Sequence, residues 1–172
     1  MADNEQKNEF DQYLTFTLGK ERFALNIGYI REILDDKDFT KVPGMLECMR
    51  GVINVRGHAV PVVDLRLKLG MPQKEMTVDS CVIITEYVQD EDVDYLGALA
   101  DSVQEVLELT PENITPPPTI GVAVESQYIL GMGKCEDGFL IILNPKTVLV
   151  SETPNNDISE SVEEAGVISL NA

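Results

Sequence analysis

The sequence has no tryptophan, one histidine and only three cysteines in 172 residues. The cysteines, Cys48, Cys81 and Cys135, are far apart and show no C-x-x-C or Cys/His spacing, so we expect reduced thiols rather than disulfides or a zinc site. No apolar run approaches the roughly 18 residues that cross a bilayer, and residues 1–8 are polar. The sequence therefore predicts a cytosolic chain with no signal peptide and no direct membrane insertion.

Basic residues are scarce in the second half of the chain. Residues 1–74 contain 11 Lys/Arg and 11 Asp/Glu, whereas residues 75–172 contain 2 and 19 and so carry the whole net charge of −17. An acidic surface repels phosphates, which argues against nucleic acid as a partner and disfavours an oligonucleotide-binding barrel. Solubility alone is an equally good interpretation of the acidity.

Residues that carry catalysis are also sparse. The only histidine, His58, falls in a predicted turn, and no serine or cysteine lies in a nucleophile elbow such as G-x-S-x-G. The dense carboxylates at positions 90–94 lack EF-hand spacing. The sequence therefore predicts no enzyme activity, metal or cofactor. The alternative is a small enzyme or metal-binding protein that uses His58 with nearby carboxylates.

The sequence does contain many short β-branched segments separated by turn residues, a pattern typical of all-β chains. We predict an all-β fold with short helices, arranged as two packed small barrels, one on each side of residues 70–80. The predicted hairpins pair residues 13–18 with 22–25, 52–55 with 59–63, 81–85 with 95–100, and 128–134 with 139–143.

Short helices are predicted at three places. Asn26 can cap a helix whose apolar face carries Ile27, Ile30, Ile33 and Leu34, and this face offers a binding surface if part of it stays exposed. Further helical segments are predicted at residues 65–69 and after the Asn-Pro pair at 144–145.

The hairpin at residues 50–66 is the most informative segment. It places Arg56 and Gly57 at a tight turn between two stiff apolar strands. Arg56 is either one more solvated turn residue or a cation presented to a partner, and Gly57 is expected at positive φ or at a close approach.

The same segment carries a family resemblance. Residues 51–57 read Gly-Val-Ile-Asn-Val-Arg-Gly, and residues 60–66 read Val-Pro-Val-Val-Asp-Leu-Arg. Together with Tyr-Leu-Thr-Phe-Thr-Leu-Gly at 13–19 and Tyr-Ile-Leu-Gly-Met-Gly at 128–133, this pattern resembles the CheW family, the coupling proteins of bacterial chemotaxis. The resemblance runs from about Phe10 to Val150.

The resemblance implies two SH3-like five-stranded barrels and no catalysis. It implies an adaptor that binds the cytoplasmic tip of a methyl-accepting chemoreceptor and the regulatory domain of the histidine kinase CheA, a domain with the adaptor's own fold. It places the protein in the cytoplasm at membrane-associated receptor arrays. The kinase contact would use the end of one barrel, with residues unassigned. The implied receptor contact, in the groove between the lobes, comprises Ile27, Ile30, Glu32, Asn54, Arg56 and Gly57.

Three segments follow from this resemblance and from composition: a flexible leader at 1–9, a coupling domain at 10–150, and an acidic flexible tail at 151–172. The loop at 88–93 is longer and more acidic than is common in the family, and the tail has no family signature. A CheV-type protein would add a phosphoacceptor receiver domain, for which we expect no room after residue 150.

Overall fold

The computed structural model describes residues 12–117 and 126–149. Two short helices, α1 (Leu65–Lys68) and α2 (Pro145–Val148), and three 3₁₀ turns, Ile27–Tyr29, Pro111–Asn113 and Ser126–Tyr128, accompany the strands. The predominantly β prediction is thus confirmed. The strands are β1 (Gln12–Leu18), β2 (Glu21–Asn26), β3 (Ile30–Leu34), β4 (Met49–Val55), β5 (His58–Asp64), β6 (Cys81–Gln89), β7 (Asp92–Ala100), β8 (Ser102–Glu108), β9 (Ile114–Thr115), β10 (Ile129–Cys135) and β11 (Gly138–Leu143).

The strands form two sheets, which we call lobes. Lobe 1 has the order β8-β1-β2-β11-β10-β9, and lobe 2 has the order β3-β6-β7-β5-β4. Each lobe therefore combines strands from both halves of the chain, and the predicted division at residues 70–80 is wrong. The reason is long-range parallel pairing, β2 with β11 and β7 with β5, which joins distant segments and leaves no local signal in the sequence.

Lobe 2 curls so that its two edge strands approach each other. Thr40, which follows β3, exchanges two backbone hydrogen bonds of 2.8 Å with Val52 of β4. The chain after one edge strand thus pairs with the opposite edge. This arrangement is consistent with the predicted SH3-like barrel, and it covers strand edges that would otherwise be free to pair with another chain.

The core has one large apolar cluster shared by the lobes and a smaller one in each lobe. The shared cluster includes Phe16 and Phe23 of lobe 1, whose stacked rings have centroids 6.0 Å apart, and Val63 and Ile83 of lobe 2. Lobe 2 has its own cluster around Ile53, and lobe 1 has one around Leu140 and Leu109. The contact between the lobes is therefore built mainly from apolar side chains.

The two short helices begin with equivalent side-chain caps, Asp64 for α1 and Asn144 for α2. The Asp64 carboxylate accepts a 3.0 Å hydrogen bond from the Arg66 backbone N–H, and the Asn144 side chain accepts one of 3.1 Å from Lys146. Burial raises the pKa of Asp64, although the hydrogen bond from Arg66 and the nearby Arg50 guanidinium act in the opposite direction.

The predicted helix over Ile27 to Leu34 is wrong in most of its length. Asn26 does cap a 3₁₀ turn, since its side chain accepts a 2.9 Å hydrogen bond from Gly28 N–H, but the turn ends at Tyr29. Residues Ile30–Leu34 then form β3, paired antiparallel with β6. Isoleucines suit strands as well as helices, and pairing with β6 decides between the two.

The predicted leader at 1–9 and tail at 151–172 lie outside the described residues. Of the predicted coupling domain at 10–150, residues 10–11, 118–125 and 150 also lie outside them. Among the residues that the structure does describe, no helix has the length and apolar character needed to cross a bilayer.

Candidate functional site

The tip of the β4–β5 hairpin is a tight two-residue turn with a side-chain brace. Arg56 and Gly57 form a two-residue turn between the paired Val55 and His58, with φ of 51° and 85°. Both values are left-handed, which is the pattern of a type I′ turn, and the prediction of positive φ at Gly57 is confirmed. The Asn54 side chain braces the turn by accepting a 2.8 Å hydrogen bond from Gly57 N–H. The turn therefore holds the base of the Arg56 side chain in a fixed place.

Arg56 contacts the opposite edge strand of lobe 2. Its Nη2 donates a 3.1 Å hydrogen bond to Oε2 of Glu32 on β3. The Arg56 side chain is 75% exposed and that of Glu32 is 25% exposed. An ion pair this open to solvent contributes between zero and about 1 kcal/mol, so it directs the guanidinium more than it stabilises the fold.

A small cavity opens beside this ion pair. Its volume is about 180 Å³. Two of its lining residues, Val60 and Ile84, are buried core residues of lobe 2 and form an apolar floor. The rest of the cavity is lined by the charged residues Arg31, Glu32 and Arg56 and by Val55, His58 and Tyr95. An apolar floor with a charged rim suits a partner's apolar side chain that lies next to a carboxylate.

The comparisons with known proteins decide the family. A family model described as CheW-like domain matches residues 12–153, which is most of the chain. The chain belongs to the CheW family.

Individual CheW relatives agree with this assignment. The chemotaxis protein CheW of Klebsiella aerogenes is 31% identical over 141 residues, which cover 82% of this chain and 82% of that protein. The probable chemotaxis protein CheW of Rhizobium etli is 32% identical over 142 residues, covering 83% and 88%. A crystal structure of the scaffolding protein TtCheW from Thermoanaerobacter tengcongensis matches with a TM-score of 0.70 and 30% identity, covering 78% of this chain and 88% of that one.

Membership in the CheW family confirms two predictions. The family itself was predicted from the motifs around Arg56 together with those at 13–19 and 128–133. The prediction of a chemotaxis adaptor rather than an enzyme is also confirmed, because the relatives are named as chemotaxis and scaffolding proteins.

The structure divides the six predicted receptor-binding residues into two groups. Glu32, Asn54, Arg56 and Gly57 lie together at the rim of lobe 2, joined by the hydrogen bonds described above. Ile27 and Ile30 are half-buried and pack against the apolar cluster that the two lobes share. The receptor surface itself stays a prediction, with a polar part at the rim and an apolar part near the junction of the lobes.

Sequence reasoning missed part of the cavity wall. Tyr95 of β7 and Arg31 of β3 line it, and neither is among the six predicted receptor-binding residues. Tyr95 lies two residues after the acidic loop at 88–93. The sequence signal at this position is a large aromatic residue in a predicted strand, and the structure leaves it 38% exposed.

The metal-site alternative gains no support from the described residues. Across 12–117 and 126–149, no three His, Cys, Asp or Glu side chains lie close enough together to hold a metal ion. His58 is exposed and lines the cavity beside Arg56.

Proposed function

We propose that this chain is a non-catalytic adaptor that couples the cytoplasmic tips of methyl-accepting chemoreceptors to the histidine kinase CheA. Membership in the CheW family supports a scaffold in chemotaxis. The observation that carries the receptor half of the proposal is Arg56, an exposed cation on a rigid turn beside an apolar-floored cavity. The adaptor would act in the cytoplasm, at membrane-associated receptor arrays, through the coupling domain predicted at 10–150.

The receptor tip is a helical hairpin in this proposal, and such a helix presents an apolar stripe to a groove. The cavity floored by Val60 and Ile84 is small, so we expect it to take one side chain of that stripe. Arg56 then meets a carboxylate beside the stripe, or the carbonyl groups at a helix C-terminus, where the helix dipole favours a cation. The turn is rigid, so ordering Arg56 on binding costs little additional freedom.

Glu32 is the partner of Arg56 before the receptor binds. It holds the Arg56 guanidinium through Nη2 in the free protein. A guanidinium has five N–H donors arranged as a fork, so a second carboxylate can bind alongside Glu32 or replace it. The exposed pair is weak, which keeps the cost of that replacement small.

The kinase half of the proposal rests on the family alone. The regulatory domain of CheA would contact the end of one barrel, on a surface other than the Arg56 rim, so that both partners bind at once. A receptor cytoplasmic fragment and the kinase regulatory domain, mixed with this protein, should therefore give a ternary complex. The measurement is analytical ultracentrifugation of the mixture and of each pair.

The decisive variant is Arg56→Glu. It reverses the charge at the rim, and we expect the affinity for the receptor fragment to fall at least about tenfold, equivalent to about 1.4 kcal/mol. Thermal unfolding should change little, because the Arg56 side chain is 75% exposed. Calorimetric titration with the receptor fragment and a thermal melt check the two parts.

The matched control is Lys134→Glu, the same kind of charge reversal on an exposed residue of β10 in lobe 1. It should bind the receptor fragment like the wild type. Equal weakening in both variants would mean that net charge, not the rim, is responsible. No binding of either partner at roughly tens of micromolar, the weak end for signalling contacts, would reject the adaptor proposal itself.

A further inference from the structure

A single residue joins the lobes where the chain returns from lobe 2 to lobe 1. β7 ends at Ala100 and β8 begins at Ser102, so Asp101 alone separates strands of different sheets. Its backbone N–H donates a 3.0 Å hydrogen bond to the Thr17 carbonyl of lobe 1. Any change in the angle between the lobes must therefore pass through Asp101 or through the other crossing, the 3₁₀ turn Ile27–Tyr29.

The Asp101 side chain touches both lobes at once. On the side of lobe 1, Oδ2 accepts a 2.7 Å hydrogen bond from Gly19 N–H in the β1–β2 turn. On the side of lobe 2, Arg66 of α1 donates from Nε to Oδ1 at 2.9 Å and from Nη2 to Oδ2 at 2.7 Å. One carboxylate thus links the first turn of lobe 1 to the helix of lobe 2.

This contact is well shielded and well oriented. The Arg66 side chain is 11% exposed and that of Asp101 is 18% exposed, so water screens the pair little. The third nitrogen of Arg66, Nη1, donates a 3.1 Å hydrogen bond to the Pro72 carbonyl and fixes the guanidinium from behind. Bidentate pairs of this kind are strong and specify a direction.

Electrostatics keep the Asp101 carboxylate ionised. Partial burial acts to raise the pKa of Asp101, but the hydrogen bonds from Arg66 and Gly19 outweigh it and lower the pKa below its ordinary value. The hydrogen bond to Asp101 likewise raises the pKa of Arg66. Both partners therefore stay charged at neutral pH.

The remainder of the junction is mainly apolar. Side chains of both lobes, among them Phe16 and Ile83, meet in the shared cluster. Apolar attraction depends on buried area and has no preferred direction, so packed layers can slide by small amounts without losing it. Directional contacts must then fix the angle, and the Asp101 carboxylate supplies three of them.

We propose that Asp101 and Arg66 form a latch that sets the angle between the two lobes, and that breaking this latch reorients the lobes without unfolding either one. The inference needs no partner, so it stands or falls independently of the adaptor proposal.

Residual dipolar couplings of the full-length protein test the latch. In the wild type, one alignment tensor should fit the backbone couplings of both lobes. Asp101→Asn replaces an oxygen acceptor with an NH₂ group facing the guanidinium, and Arg66→Lys removes the bidentate fork. In each variant we expect good fits for each lobe taken alone but two different tensors.

Two control variants separate the latch from nearby charge. Glu86→Gln breaks the 3.0 Å ion pair between Arg31 and Glu86, which lies within lobe 2. Lys74→Gln removes a half-exposed cation 3.9 Å from the Asp101 carboxylate without touching the bidentate pair. Both controls should retain one common tensor.

One common tensor with the wild-type orientation in both Asp101→Asn and Arg66→Lys would overturn the proposal. Loss of the dispersed NMR spectrum in both variants would overturn it as well. The contact between Asp101 and Arg66 would then be required for folding, and would not only set the angle between the lobes. Divergent tensors in the two controls would show that the angle responds to any change of surface charge, which also contradicts the latch.

Discussion

The hairpins β4–β5 and β10–β11 are built alike, but the tip of the first is basic and the tip of the second is acidic. Each has a register shift just before a buried glycine, Gly51 or Gly131, and each ends in the side-chain cap of a short helix. The first hairpin turns through Arg56 and Gly57, both left-handed. The second turns through Glu136 and Asp137, with the left-handed residue at Gly138.

The difference separates what the fold needs from what the site needs. The glycines and caps recur, so they serve the hairpin itself. The two tips differ in charge and in backbone path. In the acidic tip, Asp137 lies 4.0 Å from Arg22, and in the basic tip Arg56 pairs with Glu32. In the proposed function, the residues of the Arg56 tip make the receptor contact, while the repeated glycines and caps serve the fold.

In each half of the chain, the first hairpin pairs with a strand from the other half. The β1–β2 hairpin joins β11 in lobe 1, and β6–β7 joins β5 in lobe 2, in both cases through a parallel pair. The two halves of the chain are thus alike in plan, but neither half contains a whole lobe.

The largest expected effect comes from cutting the chain between the halves. Fragments 1–74 and 75–172 should each fail to fold, because lobe 1 would lack β1–β2 and lobe 2 would lack β6–β7. Mixing them should restore a dispersed NMR spectrum and a cooperative melt. A folded 1–74 fragment by itself would show that the halves are independent after all.

Alanine substitutions at Gly51 and Gly131 test whether both hairpins need a glycine after the register shift. A Cβ at Gly51 would overlap the Thr40 carbonyl, and one at Gly131 would overlap the Thr115 carbonyl. Gly51 also has φ of 131°, which adds backbone strain. We expect Gly51→Ala to lower the free energy of unfolding by about 3 kcal/mol and Gly131→Ala by about 2 kcal/mol. Urea unfolding measures both, and the opposite order would contradict this explanation.

A third turn sharpens the comparison of tips. Asp90 and Glu91 of the β6–β7 hairpin have φ of 50° and 75° without a glycine. Replacing them by Asn-Gly should raise the free energy of unfolding by about 1 kcal/mol, because this pair favours the type I′ turn. Asp137→Gly is the control, at a tip residue that is not left-handed, and it should give no gain. Equal gains in urea unfolding would refute the turn-type explanation.

The smallest expected effect concerns the helix caps. Asp64→Asn makes the first cap like that of Asn144 and should change stability at pH 7 by less than about 1 kcal/mol, since both residues cap well. The pH dependence of this difference is the sharper test.

The raised pKa of Asp64 means that its carboxyl group binds a proton more tightly in the folded protein than in the unfolded chain. Wild-type stability should therefore fall relative to Asp64→Asn as pH rises from the ordinary carboxyl pKa through the raised one. Urea unfolding across that range would show a flat difference if Asp64 is not perturbed.

Local chemistry explains what could be predicted from the sequence. Gly19 and Gly57 mark turns, Asn26 and Asn144 mark helix starts, and the motifs of the resemblance, those around Arg56 included, mark the family. Each of these signals acts over a few neighbouring residues, so turn positions, caps and the CheW resemblance could all be recognised from short stretches of the chain.

Tertiary structure decided the features that depend on distant segments. Pairing with β6 made Ile30–Leu34 a strand where periodicity predicted a helix, and parallel pairing assigned each hairpin to its lobe. The approach of the edge strands of lobe 2 brought Glu32 to Arg56, while β7 brought Tyr95 to the cavity. A strand's own residues specify that it is a strand, but its partner is fixed by the free energy of the whole sheet, which no single segment encodes.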